Sequence, residues 1–246
     1  KDSNPWRYFM RIFQEGDMVI PEIIKKQRPI LNLTTHDLLS YSVPIFEGLG
    51  ERVAFIEVVR HPLYMLIQQT LNFEKLLSDP RDIQIYIKHG EHQLPYFAYN
   101  WENLFTSSNA VEKSIYTMQR CIELSENIKK KLKEKFGKQI LTIPFEKFVL
   151  DPLSFMKIIE NMLDTKMTST TKREMKKQKV PRKTVSAGIS LSIYKRCGWE
   201  PPDKTLTERQ ELDKRRDYAL FQGASEDAMC ALDGICARYE ESIWKP

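Results

Sequence analysis

The sequence predicts an α/β fold with a doubly wound, mostly parallel sheet flanked by helices. An apolar run at residues 53–59 reads as a strand buried on both faces, and such strands belong mostly to parallel sheets. Helical spacing resumes directly after it, and strand and helix patterns alternate as far as residue 163. With 246 residues, 41% of them hydrophobic, the chain can bury one large core. We therefore expect a single domain, 1–246, with an α/β core at 1–163 and a basic segment and C-terminal helices at 164–246.

The first sixty residues predict a helix and two strands. Residues 5–28 are expected to be helical because their aromatic side chains recur on one side. A short strand at 29–34 then runs into Thr35-His36-Asp37, where Thr35 or Asp37 can cap a following helix. The strand at 52–59 comes after the turn-forming glycines 48 and 50.

The remaining elements are predicted by spacing and by end signals. Pro62 suits the first turn of a helix at 62–77, and the aromatic section 95–101 is expected to be irregular. Apolar residues at helical spacing predict a long helix over 109–136, which Gly137 ends. A third strand at 139–145, a helix at 152–163 and a last helix at 225–243 complete the expected order.

Composition excludes several classes of protein. The formal net charge of +5 is mild; it suits an anionic ligand but does not require nucleic acid, which we do not expect as a partner. The four cysteines are scattered and the histidines form no metal-binding constellation, so we expect free thiols in a reducing compartment, a cytoplasmic location and no metal. No apolar run is long enough to span a membrane.

Two features can bind an anion. Arg60 ends a buried strand, and open α/β sheets place their ligands at the carboxyl ends of strands. Residues 172–183 carry seven basic residues and one acid. For each feature there is a structural alternative: Arg60 can pair with a nearby carboxylate, and the basic run can be a solvated helix face or loop.

The order of these pieces resembles the sulfotransferases that use 3′-phosphoadenosine 5′-phosphosulfate (PAPS). Those enzymes have a strand ending in Lys-Thr-His, a strand ending in Arg-Asn-Pro, and a Tyr-Glu-Asp-Leu run after a third strand. The corresponding places here hold Thr34-Thr35-His36, Arg60-His61-Pro62 and Phe145-Glu146-Lys147-Phe148. His36 and Arg60 are 24 residues apart, close to the family spacing, and the resemblance covers about residues 28–163.

The resemblance implies an activity, a cosubstrate and site residues. The activity is transfer of a sulfuryl group from PAPS to a hydroxyl or amine of a small-molecule or carbohydrate acceptor, with no metal. His36 is implied as the catalytic base, a role that suits an imidazole. Arg60 is implied to bind the cosubstrate's 3′-phosphate, which Gln68 shares. Arg182 and Lys183 match a loop that closes over the same phosphate.

The sequence also departs from the family at several positions. Gln68 replaces a serine, Tyr64 an aspartate, Phe145 a tyrosine and Thr34 a lysine. Nothing in residues 1–28 resembles the loop that holds the 5′-phosphosulfate. We therefore expect either a chain shortened at its N-terminal side, without its first strand, or a relative that has lost the loop and its chemistry.

Three other functions are compatible with parts of the sequence. A non-catalytic module that binds an anionic sugar or nucleotide on the same fold is favoured by the replacements at Tyr64, Gln68 and Phe145. A kinase of the related phosphate-loop class needs a glycine-rich loop ending in lysine, which is not found. Nucleic-acid binding is supported only by residues 172–183.

Overall fold

The computed structural model describes residues 6, 9–10, 20–27, 30, 32–34, 38–75, 85–137, 140–188, 198, 203 and 205–244. The chain divides into two units, residues 1–36 and residues 37–246. In the first unit, α1 (Ile20–Gln27) lies within the predicted helix 5–28, and the ring of Trp6 packs edge-on against Phe9 at 5.6 Å. The predicted strand 29–34 is irregular at its described positions, 30 and 32–34, which are exposed and have no strand to pair with among the described residues.

The second unit alternates short strands with helices and ends in two helices and a π-helical turn. Its elements are α2 (Val43–Leu49), β1 (Ile56–Val59), α3 (Pro62–Lys75), β2 (Tyr86–His89), β3 (His92–Pro95), α4 (Glu102–Ser107), α5 (Ala110–Phe136), β4 (Leu141–Pro144), α6 (Phe145–Leu150), α7 (Pro152–Leu163), α8 (Ser169–Lys177), α9 (Glu208–Phe221), α10 (Glu226–Tyr239) and the π-helical turn Glu240–Trp244. Three short 3₁₀ turns, Leu38–Tyr41, Gly50–Arg52 and Tyr96–Ala98, join some of them.

Two pairs of strands are present among the described residues. β1 and β4 are parallel, with a register that runs from Ile56 opposite Leu141 to Val59 opposite Pro144. β2 and β3 form an antiparallel hairpin around Gly90, which the sequence did not predict. The fold is thus helix-rich α/β with a small parallel sheet, and the larger doubly wound sheet stays a prediction.

The long helix α5 confirms the prediction for residues 109–136. Asn109 and Glu112 form a reciprocal capping box at its start, and Gly137 ends it in the left-handed conformation with φ 61°. The main apolar core lies where α5 packs against α3 and the two C-terminal helices. Fully buried side chains from these elements fill it, among them Leu66, Ile115, Leu232 and Ile235.

The strand register places the candidate site. Because Val59 lies opposite Pro144 in a parallel pair, the next residues along each strand, Arg60 and Phe145, leave the sheet at the same edge. The predicted position of Arg60 at the carboxyl end of a strand is confirmed.

Candidate functional site

Arg60 and the aromatic ring of Phe145 meet at this edge of the sheet. The guanidinium carbon of Arg60 lies 5.1 Å from the centre of the Phe145 ring, a cation–π distance. Phe145 is the first residue of α6 and follows β4 directly, as Arg60 follows β1. The pairing of the two strands therefore brings the two side chains together.

Arg182 reaches the same ring from the basic segment. Its guanidinium carbon lies 5.5 Å from the centre of the Phe145 ring. Its backbone N–H donates to the carbonyl of Val149 at 2.7 Å, which fixes the segment to the end of α6. Its Nη1 donates to the carbonyl of Val185 at 3.1 Å. Two arginines that the resemblance assigned to one phosphate are therefore brought to one aromatic ring.

Gly188 leaves the space that the Arg182 side chain occupies. A Cβ atom built at residue 188 would lie 2.8 Å from the guanidinium carbon and from Nη1 of Arg182, closer than side chains pack. Gly188 therefore permits the close approach of the Arg182 side chain to this part of the backbone.

The row of charges and rings extends through Tyr64 to the C-terminal helices. The guanidinium carbon of Arg60 lies 5.6 Å from the centre of the Tyr64 ring, and that of Arg215, on α9, lies 5.1 Å from it. Three guanidinium groups thus alternate with two rings in the order Arg215, Tyr64, Arg60, Phe145, Arg182. We call this row the arginine–aromatic ladder.

Carboxylates accompany two of the three arginines. Nε of Arg215 donates to Glu211 at 2.7 Å, and both side chains are buried. Nε of Arg60 lies 3.5 Å from Oε1 of Glu146, an ion pair without a hydrogen bond. Arg182 pairs with no carboxylate in the described part of the chain. The ladder therefore carries uncompensated positive charge at its Arg182 end.

Glu146 is the most connected carboxylate of the site. It is fully buried and accepts hydrogen bonds from the backbone N–H of His61, at 3.3 Å to each oxygen, and from the hydroxyl of Tyr239 at 2.7 Å. Tyr239 is the last residue of α10. Glu146 consequently joins the end of β1, the start of α6 and the end of α10.

The imidazole of His61 is buried beside this carboxylate. Its Nδ1 accepts from the backbone N–H of Leu63 at 3.2 Å, so in the neutral ring Nε2 carries the proton and donates to Glu240 at 3.3 Å. Burial lowers the pKa of His61 below its ordinary value, although Glu240 and Glu146 oppose the shift. His61 is therefore neutral at pH 7, and it contacts two carboxylates, Glu146 through its backbone N–H and Glu240 through Nε2.

Burial also changes the pKa of two arginines of the ladder. It lowers the pKa of Arg60 from its ordinary value; the Glu146 carboxylate opposes this shift, and the nearby charges of Arg215 and Arg182 add to it. Burial lowers the pKa of Arg182 as well. Both groups stay protonated near neutral pH because an arginine pKa starts far above it. An anion at the Arg182 end would reduce the repulsion between these cations.

The other predicted site residues stand in different positions. Lys183 is exposed and follows Arg182 directly. Gln68 is half-buried on α3, one turn beyond Tyr64, and no hydrogen bond or ion pair joins it to the ladder among the described residues. His36 lies outside the described residues, as do Thr35 and Asp37.

Sequence reasoning missed three members of the site. Tyr64 was interpreted as a lost aspartate, whereas its ring separates two arginines. Arg215 stands four residues after Glu211, and this helical ion-pair spacing was the available signal. Tyr239, near the end of the last helix, gave no signal because its partner Glu146 is 93 positions earlier.

An open cavity with a volume of about 430 Å³ lies beside the Arg182 segment, between α7, α8 and Pro181. Apolar side chains, among them Met167 and Met175, line it together with Lys172, Lys176 and Lys179. No ion pair within the described residues involves these three lysines. The positive surface at Arg182 therefore continues along α8.

The described residues form neither a metal-binding cluster nor a membrane-spanning helix. The described residues contain no group of three or more histidine, cysteine, aspartate or glutamate side chains arranged to hold a metal ion. Among the helices whose residues are described, none combines the length and the apolar character that crossing a membrane requires.

No protein-family model matches this chain, and no curated protein and no solved structure was found to be similar to it.

Proposed function

We propose that this chain binds PAPS at the carboxyl ends of β1 and β4 and transfers its sulfuryl group to a hydroxyl or amine acceptor. One observation carries the proposal: Arg60 and Arg182, far apart in the sequence, converge on Phe145, and no carboxylate among the described residues pairs with Arg182. A partly buried cation without a partner is costly, so its retention favours an anionic ligand.

The chemistry of the two guanidinium groups suits a phosphate monoester. Each guanidinium presents a planar fork of N–H donors that matches phosphate oxygens, and charge-assisted hydrogen bonds of this kind are about twice as strong as neutral ones. Arg60 makes no hydrogen bond with the described residues; its Nε is buried, but its side chain is 33% exposed, so its two terminal nitrogens are the donors left for a ligand. In the proposed complex Arg60 and Arg182 hold the 3′-phosphate, and Phe145 fixes the spacing between them.

Lys183 and Gln68 have supporting roles in this proposal. Lys183 adds a long-range charge beside Arg182, and the amide of Gln68 is a further donor near the strand end. The sulfuryl step is an in-line displacement. The acceptor oxygen or nitrogen forms a bond to sulfur, and the bond from sulfur to the phosphate oxygen of PAPS breaks, releasing 3′-phosphoadenosine 5′-phosphate. His36 is proposed to take the acceptor's proton. No metal takes part.

The acceptor is proposed to be a small molecule or a carbohydrate, and the location to be the cytoplasm. Cys230 and Cys236 are thiols, which suits a reducing compartment.

A second candidate is a non-catalytic module that binds an anionic nucleotide or sugar. The observation that favours it is the interior of the ladder, where Tyr64 and Phe145 replace the polar family residues and pack against arginines. Such a module would keep the anion site and lack turnover.

Calorimetric titration with 3′-phosphoadenosine 5′-phosphate tests the site. We expect micromolar binding that Arg60→Ala and Arg182→Ala each weaken at least tenfold, the loss of about 1.5–3 kcal/mol expected for a charged hydrogen bond. Arg173→Ala is the matched control, because it removes an exposed arginine of the same basic segment that already pairs with Glu174. Absence of binding by the folded protein, or equal losses in all three variants, would overturn the proposal.

Turnover separates the enzyme from the binding module. The protein is incubated with PAPS and a panel of hydroxyl- and amine-bearing acceptors, and release of 3′-phosphoadenosine 5′-phosphate is followed. Release that depends on the acceptor supports the transferase. Tight binding with no release above the protein-free control across the panel favours the module.

A further inference from the structure

We infer that Tyr239 and Glu146 are positioning residues for Arg60, so that the last helix, α10, controls the anion site; this rests on the proposed function. The geometry that carries the inference is one buried carboxylate that accepts hydrogen bonds from two residues and forms an ion pair with a third. Tyr239 belongs to α10, His61 to the loop between β1 and α3, and Arg60 to the end of β1.

The shared carboxylate cannot give Arg60 a full partner. Tyr239 occupies Oε2 with a hydrogen bond of 2.7 Å, and the His61 N–H lies between the two oxygens. The contact with Arg60 joins Oε1 to Nε at 3.5 Å, which is beyond a good hydrogen bond. The bidentate pair that arginine and carboxylate normally form is therefore prevented.

This weak pairing leaves the fork of Arg60 available. Nε is enclosed and has no hydrogen-bond partner, and no described residue accepts a hydrogen bond from the two terminal nitrogens. The carboxylate still supplies a negative charge that holds the guanidinium between the Tyr64 and Phe145 rings. Glu146 thus orients Arg60 without using the donors that a phosphate needs, and the Tyr239 hydroxyl maintains this state.

Removal of the Tyr239 hydroxyl should let Glu146 occupy the N–H donors of Arg60. In Tyr239→Phe the freed Oε2 can turn toward Arg60 and form the bidentate pair, so a phosphate must then displace a carboxylate. One net hydrogen bond of about 1 kcal/mol corresponds to an affinity about fivefold lower for 3′-phosphoadenosine 5′-phosphate. The affinity for adenosine 5′-phosphate, which lacks the 3′-phosphate, should not change.

Tyr218→Phe is the matched control. It also removes the hydroxyl of a tyrosine on a C-terminal helix, but that hydroxyl forms a hydrogen bond with the side chain of Thr70 and not with Glu146. Tyr218 is partly buried on α9 and is not part of the ladder. We expect its affinity for 3′-phosphoadenosine 5′-phosphate to stay within about twofold of the wild type, and thermal unfolding of each variant checks that the titrated protein is folded.

A double-mutant cycle tests whether Tyr239 acts through Arg60. In an Arg60→Lys background the fork is absent while the charge remains, so Tyr239→Phe should cause no further loss. A loss of the same size in both backgrounds, or an equal loss for adenosine 5′-phosphate, would overturn the inference in favour of a general structural effect. So would wild-type affinity in Tyr239→Phe.

The outcome is distinguishable from failure of the proposed function. If Arg60→Ala binds 3′-phosphoadenosine 5′-phosphate as the wild type does, the proposed site is wrong and this inference falls with it. If Arg60→Ala loses binding while Tyr239→Phe matches the wild type, only the positioning role is wrong.

Discussion

The two ends of the arginine–aromatic ladder are built for different purposes. At the inner end, the Arg215 side chain is 3% exposed, donates to Glu211 at 2.7 Å and lies 3.4 Å from the carbonyls of Leu63 and Tyr64. At the outer end, Arg182 is half-buried, donates to the Val185 carbonyl, and pairs with no described carboxylate. The inner arginine is satisfied by the protein itself, whereas the outer arginine has donors left for a ligand.

The difference shows that arginine can stabilise the fold at one position, Arg215, and be available for a ligand at another, Arg182. Arg215 links α9 to the start of α3, and its charge is compensated before any ligand arrives. Arg182 stands on a loop whose position depends on one backbone hydrogen bond to Val149 and on the space above Gly188. We therefore expect Arg215 to contribute to stability and Arg182 to contribute to ligand binding.

The largest expected effect is on stability, at the inner end. Arg215→Ala leaves Glu211 buried without its partner, and breaking a buried pair in this way costs about 3–5 kcal/mol of unfolding free energy. Arg182→Ala should cost less than about 1 kcal/mol, because that side chain is half-buried and makes one hydrogen bond. Urea unfolding of both variants measures the contrast.

The double variant Arg215→Ala/Glu211→Ala serves as the control for this contrast. It should recover part of the stability that Arg215→Ala loses, because no unpaired charge remains buried. Equal losses for Arg215→Ala and Arg182→Ala would contradict the division of the ladder.

A smaller effect is expected at the outer end, on affinity. In Gly188→Ala the new methyl group would meet the Arg182 guanidinium at 2.8 Å, and the flexible arginine would move aside. Stability should hardly change, since the atoms that must move belong to the tip of one side chain. The affinity for 3′-phosphoadenosine 5′-phosphate should fall several-fold, because the fork is displaced from Phe145.

Gly234→Ala is the matched control for this substitution. Gly234 lies within α10, and a Cβ built there meets nothing within 4 Å. Alanine at this helix position should stabilise the protein by about 0.5–1 kcal/mol and leave the affinity unchanged. Wild-type affinity in Gly188→Ala would show that Arg182 does not need its present position to bind the anion.

The sequence predicted those features that depend on local pattern. α5 was predicted over its whole length because apolar residues recur along it at helical spacing and Gly137 marks its end; the capping box of Asn109 and Glu112 was a further local signal, not used in the prediction. The position of Arg60 was predicted because an apolar run ends visibly in the sequence. The expected burial of that strand on both faces was wrong: Val58 is 62% exposed and the rest of β1 is half-buried, because among the described residues β1 pairs only with β4. α9 was missed because charged side chains alternate along it and hide its buried face, which holds Glu211, Arg215 and Ala219.

The ladder could not be predicted because it depends on the register of two strands and on contacts between distant segments. Arg60 and Phe145 meet through the pairing of Val59 with Pro144, and Tyr239 reaches Glu146 only once α10 has packed on α5. The hairpin β2–β3 was missed for a related reason. Its strands are only four residues long, and β3 does not alternate between exposed and buried positions, so apolar patterning is weak.

The smallest expected effect is on the pH dependence of stability and comes from His61, the residue that follows Arg60. Burial lowers the pKa of His61 in the folded protein, so the unfolded chain binds a proton there more readily. The stability that comes from the neutral ring is fully present above the unfolded pKa of about 6.5 and is lost progressively as the pH falls below it. Protonation would also remove the acceptor at Nδ1 that the Leu63 N–H now uses.

His61→Asn separates this titration from the structure around it. The Asn side-chain oxygen can accept from the Leu63 N–H as Nδ1 does, but the amide does not titrate. Urea unfolding between pH 7.5 and about 5.5 should show a steeper loss of stability for the wild type than for His61→Asn. The same slope in both proteins would mean that folding does not lower the pKa of His61, so that the ring takes up a proton in the folded protein as readily as in the unfolded chain.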